Sequence, residues 1–169
     1  MRLRDFALSL LVLTAPLSHA QLPPDNPDWR EAAAPPPPPL RLEGLIGLDL
    51  PGSALRFAVD PRSITIGADG IVRYVVVATS TSGAVNGIYE GVKCSSGEFK
   101  VYARHTPGAG WVVTKDSPWR SAYDNGIPRH TLIVARTGAC QGHSANTSVE
   151  QIVRDLRAPQ DTKFRQETR

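Results

Sequence analysis

The chain has 169 residues, 41% of them hydrophobic and 21% charged, close to the averages of globular proteins. That is enough for one domain of ordinary size and excludes two full ones. The formal net charge is +3, too slight an excess for a dedicated nucleic-acid binder, and no nucleic acid is expected as a partner.

Residues 1–20 read as a cleavable export signal. Arg2 and Arg4 supply a cationic start, and Phe6 to Ala15 an apolar run too short to span a bilayer as a stable helix. Pro16 breaks the helix, and Ser18-His19-Ala20 places small residues where a signal peptidase reads, so cleavage is expected before Gln21. A short buried N-terminal helix is the competing reading. Removal of the signal leaves 17 basic against 15 acidic residues, a balance of +2. No cysteine stands directly after the cleavage point, so no lipid anchor is expected; no later segment is long and apolar enough to cross a membrane, so a soluble periplasmic protein is expected.

Residues 21–39 follow as a Pro-rich arm. Pro23, Pro24, Pro27 and the run Pro35–Pro39 favour polyproline II and suit a spacer, with a recognition ligand as the alternative. Trp29 is costly to expose in such an arm and is expected to dock on the domain or on a partner.

A single globular domain is expected over residues 40–158. Short apolar runs, Leu55–Val59 and Ser63–Ile66, are split by Asp60-Pro61. Ala68-Asp69-Gly70 signals a hairpin turn, and Ile71–Ser80 is a valine-rich β run. Val85–Cys94, Glu98–His105 and Trp111–Lys115 follow between turn signals at Ser82-Gly83, Ser95-Ser96-Gly97 and Pro107 to Gly110. The segment from Pro128 to Gly138 reads as a helix, its β-branched residues leaving strand open. Thr147-x-x-Glu150 is a capping box before Val149, Ile152, Val153 and Leu156, an amphipathic helix that ends ahead of Pro159. Residues 159–169 form a polar C-terminal tail. The expected fold class is α+β: an antiparallel β meander of about five or six strands, with one or two C-terminal helices packed on one face.

Cys94 and Cys140 are the only cysteines. In an oxidising compartment they are expected to form a disulfide. Closing a loop of 46 residues would add about 4 kcal/mol in the chain-entropy account. A metal site at Cys140-x-x-His143 is the weaker alternative, because Cys94, Cys140 and His143 make only three of the four ligands structural zinc takes. No metal and no cofactor are expected.

Strand alternation assigns two faces. Phe99, Val101 and Ala103 fall on one side and Lys100, Tyr102 and Arg104 on the other. Ile88, Val92 and Cys94 share the apolar side with Glu90, opposite Tyr89, Gly91 and Lys93. A buried Glu90 needs a partner, for which Arg136 or His130 on the covering helix is available. A structural ion pair is favoured over a catalytic acid, since no second carboxylate or nucleophile accompanies it. Arg73, Tyr89, Lys93, Lys100, Tyr102 and Arg104 would make a cationic, aromatic face for an envelope protein or an anionic polymer. An ordinary solvated sheet face is the bland reading of the same residues.

The sequence contains no G-x-S-x-G elbow, phosphate loop, H-E-x-x-H or dinucleotide fingerprint. No catalytic residue is assigned. A non-catalytic binding or envelope-associated module is the leading expectation, with a small hydrolase using Glu90, or a surface adhesin, as alternatives.

Several stretches together resemble the cryptic neisserial protein-like family of small exported proteobacterial proteins. They are Asp69 to Val77, Ser82 to Asn86, Tyr89 to Cys94, Trp119-Arg120, and Asp28-Trp29 ahead of the Pro-rich run. The resemblance covers essentially the whole mature chain. It implies an exported address and a single domain. The family has no established activity, so it assigns no catalytic residue.

Overall fold

A computed structural model describes residues 28–124 and 128–159. The expected export signal, the first residues of the Pro-rich arm and most of the polar C-terminal tail lie outside the described residues.

Strand β3 (Ile71–Thr79) is the spine of the molecule. Its residues Ile71 to Ala78 are all buried, with no wet face to alternate against. A run of this kind belongs to a strand covered on both sides. β2 (Arg56–Ile66) and β4 (Val85–Lys93) flank it, β5 (Glu98–Thr106) follows β4, and the short strands β1 (Ile46–Leu48) and β6 (Gly110–Val113) close the edges. All neighbours are antiparallel and in chain order, the expected meander. A two-residue strand, β7 (Arg120–Ser121), pairs with the start of β5.

One face of the sheet carries the helical layer. Val72, Tyr74, Val76, Val92 and Phe99 pack there against Val134, Ala139, Ile152 and Leu156. Helix α1 (Arg129–Val134) runs directly into a π turn at Ala135–Ala139, so residues 129–137 are helical. The chain then makes a small hairpin, β8 (Cys140–Gln141) with β9 (Ser144–Ala145), and enters α2 (Val149–Arg157). Gly138 lets the π turn approach α2 closely, since a Cβ there would lie 2.6 Å from Leu156 Cγ. The disulfide between Cys94 and Cys140 is present, with Cα atoms 5.5 Å apart. It ties the end of β4 to the helical layer.

Three expectations are corrected. The runs expected at Leu55–Val59 and Ser63–Ile66 merge into one strand, β2, which starts at Arg56 and whose register slips between Asp60 and Thr65. Buried Asp60 makes the slip tolerable: its carboxylate accepts from Arg62 N and Arg41, and Ser63 Oγ donates to its carbonyl while accepting from Val75 N. The cap of α2 is Ser148, whose Oγ accepts from Gln151 N, and not Thr147. Thr147 N is taken by Asn146 Oδ1, which delays the helix by one residue. The third concerns the faces. A bulge in β5 pairs Ala103 with Tyr89 but Val101 with Glu90, leaving Tyr102 without a partner in the ladder. Beyond a bulge the sides exchange. Ala103 therefore joins Tyr89, Val75 and Val77 on the face away from the helices, and Arg104 pairs with Ile88 on the helical side.

Candidate functional site

The sheet face opposite the helices is covered by the chain's own arm. Trp29 donates its indole N–H to Asp69 O at 2.9 Å, and its ring lies under the Lys93 ammonium at 4.0 Å and edge-on to Trp119. Ala32 N donates to Asp69 Oδ2, while Arg73 donates to Ala32 O and pairs with both Asp69 oxygens. Glu31 is the centre of the clasp. Its carboxylate accepts from Lys100 Nζ at 3.0 Å, Tyr102 Oη at 2.9 Å and Trp119 Nε1 at 3.0 Å, with the Arg73 guanidinium 4.0 Å away.

Burial alone would raise the Glu31 carboxyl, but the bonds from Lys100, Tyr102 and Trp119 outweigh it and hold it below its ordinary 4.5. Asp69 behaves alike: burial opposes, and Arg73 with the Ile71 and Ala32 amides carries it below 3.8. Burial also pushes the Tyr102 phenol above its usual range, with Arg73 working the other way. Groups with depressed folded pKa values stabilise above their unfolded values, and that stability is lost as pH falls through the folded ones. The arm is therefore expected to stay clasped at neutral pH and to loosen below pH 4.5. The indole N–H resonances of Trp29 and Trp119 should shift with acidification before that of Trp111 does. Glu31→Gln should cost about 1–2 kcal/mol and abolish the Trp119 response. Three indole signals moving together would mean global unfolding and no separate clasp.

On the helical side Glu90 is wholly buried, with 0% exposure. Thr131 Oγ1 donates to its Oε1 at 3.0 Å, and His130 Nε2 lies 3.4 Å from its Oε2. Both partners sit on the first turns of α1, whose inner side faces the sheet. The His130 ring stacks on Phe57 at 4.7 Å. Tyr74, opposite Glu90 on β3, has its phenol pushed well above 10 by burial and by the neighbouring carboxylate. Arg136 takes no part. It lies exposed on the π turn, its guanidinium over the Tyr123 ring.

Beside this cluster a groove of about 500 Å³ opens where the strand ends meet α1. Leu50, Leu55, Phe57 and Ile88 give it apolar walls, His130 closes its floor, and Arg104 and Arg129 line it. None of its lining residues is acidic.

The structure thus divides the residues singled out from the sequence. Arg73, Tyr89, Lys93, Lys100 and Tyr102 share one face, beneath or beside the arm, and Arg104 has crossed to the groove. Of the two partners considered for Glu90, His130 is in place and Arg136 is not. Glu31, Trp119 and Asp69 went unrecognised as parts of the clasp. The one available signal was the charge of Glu31 two residues after a tryptophan that had to dock somewhere.

A doubly covered antiparallel meander, strapped by its own N-terminal arm and cross-linked by one disulfide, defines a small α+β protein with two distinct surfaces. The chain belongs to the CNP1-like family, whose family model matches residues 24–157 and so takes in both the arm and the helices. No curated protein and no solved structure matches the chain. Among the described residues no helix is long and apolar enough to cross a membrane.

Proposed function

We propose that this chain is exported to the periplasm by cleavage of residues 1–20 and acts there as a non-catalytic binding module for an envelope component, with the groove beside α1 as its binding surface. The observation that carries the reading is a contrast. The groove is open and apolar, whereas Glu90 and Thr131 are fully buried, so no substrate meets them at rest. An apolar concavity with a few placed polar groups is the usual form of a ligand site. The face studded with Lys100 and Tyr102 is a less favourable surface, because a partner would have to displace Glu31 from three hydrogen bonds.

A photo-crosslinking side chain at Leu55, on the rim at 39% exposure, tests this in intact cells. Adducts are expected at Leu55 and not at exposed Glu150 on α2, in protein recovered from the periplasm with Gln21 as its first residue. Equal labelling at both positions, or none at Leu55, would remove the groove as the binding surface. A hydrolase using Glu90 is the second reading, favoured by His130 touching both the groove and the buried carboxylate.

A further inference from the structure

We propose that the groove takes a single acyl chain ending in a carboxylate, held by its chain against the apolar walls and by its head at Arg104 and Arg129. This deepens the binding reading above and rests on it.

The walls decide the body of the ligand. Leu50, Leu55, Phe57 and Ile88 make the lining mainly apolar, and the volume of about 500 Å³ lies in the range of small-molecule sites. A peptide would bring backbone donors and acceptors that such walls leave unpaired, at a cost for each one buried. A hydrocarbon chain brings none.

The rim decides the head. The Arg104 side chain is exposed and makes no hydrogen bond or ion pair with any described residue. The β5 bulge put it there: without the slip at Tyr102 it would point to the arm face, among Lys93 and Lys100. Arg129 anchors one nitrogen on Pro51 O at 2.8 Å, which fixes the guanidinium while leaving other donors open. Two guanidinium groups beside an apolar trough without a single lining carboxylate select an anion. The imidazole of His130 is already committed to Glu90 and Phe57, so it serves as floor and not as the head's partner.

Calorimetric titration of the full mature chain with octanoate, decanoate and dodecanoate, below their micellar concentrations, is the test. Saturable binding of one molecule per chain is expected, tightening about fourfold for each added methylene. Arg104→Glu should weaken dodecanoate about tenfold and leave dodecanol unaffected. Leu55→Glu, a second exposed site that leaves the core alone, should weaken both. No saturable binding, no chain-length dependence, or an Arg104→Glu variant that binds dodecanoate as tightly as the parent would each overturn the assignment. If that happens while Leu55 still crosslinks a partner, the groove stands as a binding surface and only the ligand class falls.

Discussion

Replacing Cys94 and Cys140 together by alanine is expected to lower the free energy of unfolding by about 4 kcal/mol. The loop they close spans 46 residues, and its closure is removed from the unfolded ensemble only while the bond exists. Against a total of about 5–15 kcal/mol for a domain, this is a large share. The site of the bond adds to its consequence. Cys94 ends β4 and Cys140 follows the π turn, so the bridge is the covalent tie between sheet and helical layer. The rest of that contact is packing of Ile152, Leu156 and Val134 on the sheet, with Thr131 and His130 of α1 held at Glu90. Urea titration of the parent, the reduced parent and the double variant should give two coincident low midpoints and one high one. Unchanged midpoints would show that packing alone holds the helices down. Failure of the reduced parent to match the double variant would point to strain from the substitutions.

Glu90→Ala is expected to cost about 3–5 kcal/mol, which for a chain of this size is a fall of about 10 °C in Tm. The carboxylate is fully buried, and its loss leaves Thr131 Oγ1 without an acceptor and His130 Nε2 without its partner, both facing a cavity. Glu90→Gln keeps an oxygen for Thr131 and should cost only about 1–2 kcal/mol. The pair of variants also decides between the two functional readings. If Glu90 serves structure, both variants lose Tm in that order, and Glu90→Gln still binds in the groove. If it serves chemistry, Glu90→Gln keeps its Tm and loses turnover of whatever the Leu55 crosslink identifies. Thermal melts on both variants, with binding measured on the glutamine one, separate these outcomes.

The disulfide pairing was legible because two cysteines admit one bridge, which the folded chain makes between Cys94 and Cys140. The meander was legible from its punctuation: turn residues at Asp69-Gly70, Ser82-Gly83 and Pro107-Gly108 leave connections too short for crossovers, so neighbours in sequence pair in space. Helix α2 announced itself by Val149, Ile152, Val153 and Leu156 at helical spacing. The burial of Glu90 followed from its place between Ile88 and Val92 on one side of β4. Each of these signals is local, or nearly so, and needs no knowledge of what lies across the sheet.

What the sequence left open was settled by partners distant along the chain. Thr147 and Ser148 are equally good caps by type, and Asn146 decides between them: it donates to Gly138 O and Asp155 and spends its own oxygen on Thr147 N. The slip at Tyr102 follows from how β5 sits against β4, and no residue of β5 marks it, yet it sends Arg104 to the groove. The largest reversal is at the cationic face. Arg73, Lys93, Lys100 and Tyr102 appear as a free surface while strands are read one at a time. A segment some forty to seventy residues earlier brings the indole and the carboxylate that use them. Charge and aromaticity alone left this face open between a binding surface and an ordinary solvated one. Only the folded chain decided that the ligand is its own Glu31, because an arm tethered to the sheet meets that face at a far higher effective concentration than any separate molecule does.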